Sequence, residues 1–286
     1  MKSKFFGKHL LFPVLVFGLP ALGMYVYGKY HVSAFIVSNV CLIIGALSIY
    51  GFERSMPFNS EWNVDRKDRV LDIKYIFSNL ITIVFTQVTV LFAAFHFLNL
   101  GLLKEKIQTI FGLSLVAEFL VFYLVVEFLH YAYHWLEHRG GFLWKIHEIH
   151  HSSERVYSVN SFKMHAFETA VRFVLPSIAL VLIGGSEVTF LLYTMHSAML
   201  GILQHANIDM QLKGWNKLFS TADLHRMHHS KVVKESNHNF GKSITLYDII
   251  FHTYDDSGLK HTVGVVETVP HYFWEQFLFP FIKKRK

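Results

Sequence analysis

A single cysteine, Cys41, lies inside an apolar run, so the chain has neither a disulfide framework nor a thiolate metal site. A bound metal would have only nitrogen and oxygen ligands. Charge is also scarce: 17% of residues are Asp, Glu, Lys or Arg, against about 25% in an ordinary soluble domain. With 52% hydrophobic residues, this excludes a large soluble core and points to a chain solvated by lipid. No low-complexity tract, internal repeat or linker marks a second domain. No dinucleotide-binding glycine fingerprint and no haem or iron–sulfur motif occurs, so a redox function needs electrons from another protein. The net charge of +6 does not gather into a nucleic-acid patch. Basic residues flank apolar runs instead, as they do at a membrane surface.

What the chain has is long apolar runs. A bilayer-crossing helix needs roughly 20 apolar residues, and four runs qualify: about 9–28, 32–52, 75–98 and 110–135. The first follows MKSKFFGK but is long and has no small-residue cleavage site behind it, which predicts an uncleaved span. The stretch 171–204 is interrupted by Pro176 and Gly184-Gly185, so it reads as a tight membrane hairpin. Lys2, Lys4 and Lys8 precede the first run, and Arg54, Arg66, Lys67, Arg69 and Lys74 follow the second. The positive-inside rule makes both segments cytoplasmic. The expectation is one all-α membrane domain over residues 1–286. Residues 1–135 are mainly transmembrane helices, 171–204 the hairpin, and 136–170 with 205–286 a cytoplasmic cap. The C-terminal KKRK matches a retrieval signal to the endoplasmic reticulum in a eukaryotic cell, or a basic tail on an anionic leaflet.

The chain also has nineteen histidines. His134 and His138 are spaced i, i+4 and share a helix face. His147, His150 and His151 are spaced i, i+3, i+4, and His225, His228 and His229 repeat that pattern. The first triple overlaps an H-E-x-x-H match through Glu148, the helix signature of zinc proteases. A protease site uses two of these histidines and one further ligand, which leaves the other cluster without a task. Arg226 moreover stands where a second glutamate would be. Eight imidazoles exceed what one metal takes and suit two adjacent ions. Imidazole alone does not name the metal. A site under an apolar bundle is positioned for a lipid tail, and attack on an unactivated C–H bond calls for a redox metal and dioxygen.

The ordered set HWLEH, HEIHHSS, QHAN, HRMHHS, NHNFG and YDIIFHTYDD resembles the fatty acid hydroxylase / sterol desaturase superfamily over about residues 50–256. Leu143-Trp144 and the His165-x-x-Glu168 element are part of that resemblance. The chain departs from it at Trp135, His130, His252 and Gln204. The resemblance implies an integral-membrane, non-haem di-iron oxygenase. Its metal ligands would be His134, His138, His147, His150, His151, His225, His228 and His229, with His205 as a further one. It implies dioxygen as co-substrate, electrons from a separate carrier protein, and hydroxylation or desaturation of a lipid such as a fatty acyl chain, sterol, ether lipid or aminolipid. The host membrane would be a bacterial inner membrane or the endoplasmic reticulum.

Metal-bound imidazoles usually donate their other N–H to a carboxylate or carbonyl. Glu127, Glu137, Glu148, Asp209 and Asp223 are near enough in sequence. Glu127 leads because an acid inside an apolar span needs a partner, and His165 is a further outer-sphere candidate. His196 reads as a packed polar group, His238 as a solvated one, and His9, His31, His96, His261 and His271 as interfacial. From another class, a membrane zinc carrier, sensor or protease stays open, as does a relative retained only for lipid binding.

Overall fold

In a computed structural model of the chain, residues 2–99, 113–183 and 185–282 are described. The start of the fourth apolar run, Gly184 and the KKRK tail lie outside the described residues. Four helices are long and apolar enough to cross a membrane: α1 (Phe6–Tyr30), α2 (Ala34–Ser55), the Arg69–Val90 part of α3 (Arg69–Asn99), and α4 (Leu115–Glu137). α1 carries two π-type turns, Phe6–Leu10 and Val14–Gly18, on either side of Pro13, whose missing N–H breaks the regular ladder. It ends at His31, which adopts the left-handed conformation common at helix C-termini. Large apolar side chains on α2 and α3, among them Phe35, Leu47, Ile81 and Phe85, face outward. Such a face is stable only where lipid replaces water.

α5 (Gly141–His151) follows α4 after a turn at Arg139-Gly140. The hairpin is formed by α6 (Ala166–Ile183) and α7 (Glu187–Gln204). Its break lies at Gly185-Ser186, where Ser186 caps α7 by accepting the Thr189 N–H. The expected interruption at Pro176 does not occur; α6 runs through it. Proline inside a helix removes one backbone bond, and packing of α6 against α3 and α4 supplies the order that local propensity does not.

α7 packs on α1 and α2 through Leu15, Val37, Cys41, Met195, Met199 and Leu203. Gly45 makes that approach possible, because a Cβ there would collide with the Met199 side chain. On the other side Phe122, Tyr123, Val126, Ala179 and Tyr193 join α4 to the hairpin. The cap adds short helices α8 (Ala222–His228), α9 (Val233–Ser236), α10 (Leu246–Ile250) and α11 (Phe273–Leu278). Among the described residues there is no strand, only the isolated bridges Phe219–Ile244 and Ser230–Val263. Glu53, buried at the end of α2, ties spans to cap: it accepts the N–H and hydroxyl of Ser158 and the N–H of Asn207.

Candidate metal centre

Four helices bring the histidines together. α4 delivers His134 and, one turn on, His138. α5 delivers the first triple on one face, α8 and its C-terminus deliver the second, and His205 stands at the end of α7. The ring nitrogens that could hold a metal ion form two groups. His134, His138, His147, His151 and His228 make one; His150, His205, His225 and His229 make the other. Each triple divides between the groups, two rings to one and one to the other, as i, i+3, i+4 spacing permits. All nine are buried except the partly buried His138.

Within the first group His134 Nε2 lies 3.0 Å from His147 Nε2 and 3.0 Å from His228 Nε2, and His147 Nε2 lies 3.1 Å from His151 Nε2. In the second, His225 Nε2 lies 2.9 Å from His205 Nε2 and 3.1 Å from His229 Nε2. Several of these rings already spend their only proton elsewhere. His134 Nδ1 donates to Phe240 O at 2.8 Å, His228 Nδ1 to His238 O at 2.8 Å and His150 Nδ1 to Lys163 O at 3.1 Å. His147 Nδ1 donates to Glu168 at 2.9 Å, and His205 Nδ1 to Asn160 Oδ1 at 2.8 Å. The Asn160 orientation is fixed because its amide nitrogen donates to Arg155 O.

A neutral imidazole has one N–H, so the facing Nε2 atoms of His134, His147 and His228 are bare lone pairs. Protonation does not relieve the contact. Burial holds His138, His147, His150, His151, His225 and His229 well below the usual histidine range, and pushes His228 to about 4 and His205 to about 3. A cation held among the lone pairs would reconcile them. At a metal–nitrogen distance of roughly 2.1 Å, nitrogens on adjacent octahedral corners are about 3.0 Å apart and those on tetrahedral corners about 3.4 Å. The observed spacings match the octahedral edge.

Around the first group Glu168 accepts from both His147 and Arg172 Nε at 2.9 Å, while Arg172 Nη2 pairs with Glu137 at 2.5 Å. Glu137 itself is 3.7 Å from His147 Nδ1. Around the second, Glu53 fixes the turn Ser158–Phe162 that presents Asn160. Phe240 and Trp144 wall the first group, their rings 5.1 and 5.2 Å from that of His138.

The outer-sphere expectations fare differently. Glu127 binds no imidazole; it accepts the backbone N–H groups of Ser243 and Ile244 at 2.7 and 3.2 Å, anchoring the loop that carries Phe240. His165 points away: its Nε2 meets Phe277 O and its Nδ1 accepts the Phe167 N–H at the start of α6. Asp223 pairs with Arg226 three residues on, and Asp209 with Lys8. Glu148 is buried on α5 and belongs to neither donor group, while His147 and His151 of the H-E-x-x-H match share their group with three further imidazoles, more than a protease site uses. His196 is a packed polar group, its Nδ1 3.0 Å from Tyr123 Oη. His238 contributes its backbone carbonyl. Glu53, Asn160 and Arg172 were not anticipated. Glu53 had a weaker signal than Glu127, since it lies just past the end of its apolar run.

Residues 119–253 match the family model of the fatty acid hydroxylases. Over that stretch, just under half of its length, the chain is similar to the fatty acid hydroxylases. The match encloses every histidine of both groups. An ornithine lipid hydroxylase from Rhizobium tropici is 33% identical over 163 residues, 56% of this chain and 49% of that protein. An alkylglycerol monooxygenase from Caenorhabditis elegans is 26% identical over 129 residues, 45% and 25% of the two chains. A very-long-chain aldehyde decarbonylase from Oryza sativa subsp. japonica is 27% identical over 150 residues, 52% and 49%. The chain thus spans half or less of the length of these relatives. No solved structure matches it.

Proposed function

We propose that this chain is an integral-membrane oxidoreductase that holds two irons and uses dioxygen to hydroxylate a lipid chain. The observation that carries this reading is the pair of buried groups of converging imidazole nitrogens where the membrane helices enter the cap, with bare Nε2 lone pairs facing one another in the first. His134, His138, His147, His151 and His228 would hold one ion, and His150, His205, His225 and His229 the other. Five donors exceed the four that zinc takes in structural sites, and the spacings near 3.0 Å favour a higher-coordinate ion. When bound, the irons supply the redox chemistry with dioxygen that an unactivated C–H bond requires.

The protein's own part is positioning. Nδ1–H bonds to Phe240 O, Lys163 O, His238 O, Glu168 and Asn160 lock the tautomers of His134, His150, His228, His147 and His205, aim the Nε2 of each inward and raise ligand basicity. Arg172 keeps the Glu168 carboxylate oriented and its charge balanced. The buried histidines, Trp144 and Phe240 keep bulk water away from a reactive centre. Hydroxylation is preferred to desaturation because two of the relatives are a hydroxylase and a monooxygenase, of an ornithine lipid and of an alkylglycerol.

The basic segments lie on the cap side, Lys8 pairing with Asp209 and Arg66 with Glu154. By the positive-inside rule the cap is cytoplasmic, and the electrons come from a separate carrier protein there. Comparing the lipids of cells expressing the chain with those expressing His150→Ala tests the reading. A species one oxygen heavier, present only with the intact chain, is expected. A species lacking two hydrogens would make it a desaturase, and unchanged lipids with iron-loaded protein would overturn it.

A further inference from the structure

A pocket of about 260 Å³, lined by cap residues, reaches His138 and His151 of the first histidine group. Its floor is His138, His151 and Trp144; its rim carries Arg139, Lys231 and Glu267. It is smaller than the roughly 300–1,000 Å³ of ordinary small-molecule sites. The Trp144 ring forms a contact between the pocket and two ligand rings, its centroid 5.2 Å from that of His138 and 5.6 Å from that of His151. His138, the one partly buried ring of the nine, lies on this pocket, so the centre approaches the surface here.

The rim has a built character. Gly264 adopts a positive φ of 117°, and the Lys231 stem lies over its bare Cα, with a Cβ there 2.9 Å from Lys231 Cε. Arg139 stacks on the Trp135 ring with its guanidinium carbon 3.9 Å from the centroid, which holds the charge outward. Lys234, exposed on α9, adds a third positive charge close by; Glu267 is the opposing one. Exposed Val233 and Val266, 66% and 80% accessible, give the same face an apolar component. A basic rim with exposed apolar side chains fits a partner surface that is acidic around an apolar centre.

We infer that this pocket is the docking surface for an acidic one-electron carrier protein, and that Trp144 is the contact through which electrons reach the metal centre. This rests on the oxygenase reading. The balance is R–H + O2 + 2 e⁻ + 2 H⁺ → R–OH + H2O, with the two electrons delivered singly by two reduced carriers, each oxidised by one electron. The lipid approaches through the membrane helices and the carrier from the cap, so neither blocks the other.

The test uses the iron-loaded full-length chain in detergent and two reductants, a prereduced acidic [2Fe–2S] ferredoxin and dithionite. Stopped-flow absorbance follows ferredoxin oxidation, and the metal-centre spectrum follows reduction by dithionite. Ferredoxin should reduce the intact protein at a rate that falls steeply with salt. Lys231→Glu should slow that step at least tenfold and Glu267→Lys should speed it, an acceleration that misfolding does not produce. Dithionite should reduce all three proteins alike. Trp144→Leu should slow the ferredoxin step while leaving its salt dependence unchanged. Equal ferredoxin rates for the intact protein and both charge variants, with dithionite still effective, would overturn the docking surface and leave the oxygenase reading intact. If neither reductant reduced the intact protein, the oxygenase reading itself would fall.

Discussion

His134 and His147 face each other across 3.0 Å with both Nε2 atoms bare, because each ring has committed its proton to an acceptor behind it, Phe240 O and Glu168. The twelve residues between them carry the chain through the turn from α4 to α5, whose work is to bring two imidazoles from different helices to one point. Replacing His147 or His228 with alanine should remove the ion of the first group and abolish turnover, with the protein still inserted in the membrane. Elemental analysis and a detergent-stability assay read the two separately.

The second group offers a sharper division. His205 touches His225 and is fixed by Asn160, and it belongs to no contact of the first group. His205→Ala should lower metal content from two ions per chain towards one. Loss of both ions in a protein that remained folded would mean that the groups do not load independently.

Glu168 holds His147 without being a ligand in either histidine group. Glu168→Gln keeps an acceptor for the Nδ1–H but loses the charge that balances Arg172. A loss of about 10- to 100-fold in metal affinity or activity is expected, measured by chelator competition. An unchanged affinity would show that the carboxylate only neutralises Arg172.

The histidine triples were legible in the sequence because helical spacing alone sets which rings share a face. Their supports were not. His134 is held by a backbone carbonyl 106 residues away and His205 by an amide 45 residues away, and a carbonyl has no residue-type signature. Glu127 was recognised as a paired buried acid, but its partners are the N–H groups of Ser243 and Ile244, fixed only once the cap folds over α4. Pro176 misled for the opposite reason: local propensity argued for a break that packing against α3 and α4 overrides.

His165 separates site from scaffold. It lies within the family-like His-x-x-Glu element, yet its ring contacts Phe277 O and the start of α6. His165→Ala should keep both metals and cost about 1 kcal/mol in stability, the usual value of a lost helix-end bond. A fall in metal content would place it in the site after all.

Acid should unfold the metal-stripped protein readily. Burial holds the folded-state imidazoles below the unfolded value of about 6.5, down to about 4 for His228 and about 3 for His205. For a base with a depressed folded value, the stability is complete above pH 6.5 and is lost as the pH falls below it, because the unfolded chain then binds protons that the folded one refuses. Each such histidine costs up to about 1.4 kcal/mol over the first pH unit. The Tm of the metal-stripped protein should drop sharply between pH 6.5 and 5.5, with the loss from His228 continuing to about pH 4. A flat Tm over that window would mean that the rings are already protonated or solvated.

The central claim is that the two histidine groups hold two irons. Elemental analysis of detergent-purified protein grown with ample iron tests it most directly, with iron reconstitution if zinc is found first. About two irons per chain in the intact protein, and none in His228→Ala combined with His150→Ala, is the expected result. Zinc that persists through reconstitution, with no oxygen consumed when a reductant is supplied, would contradict it.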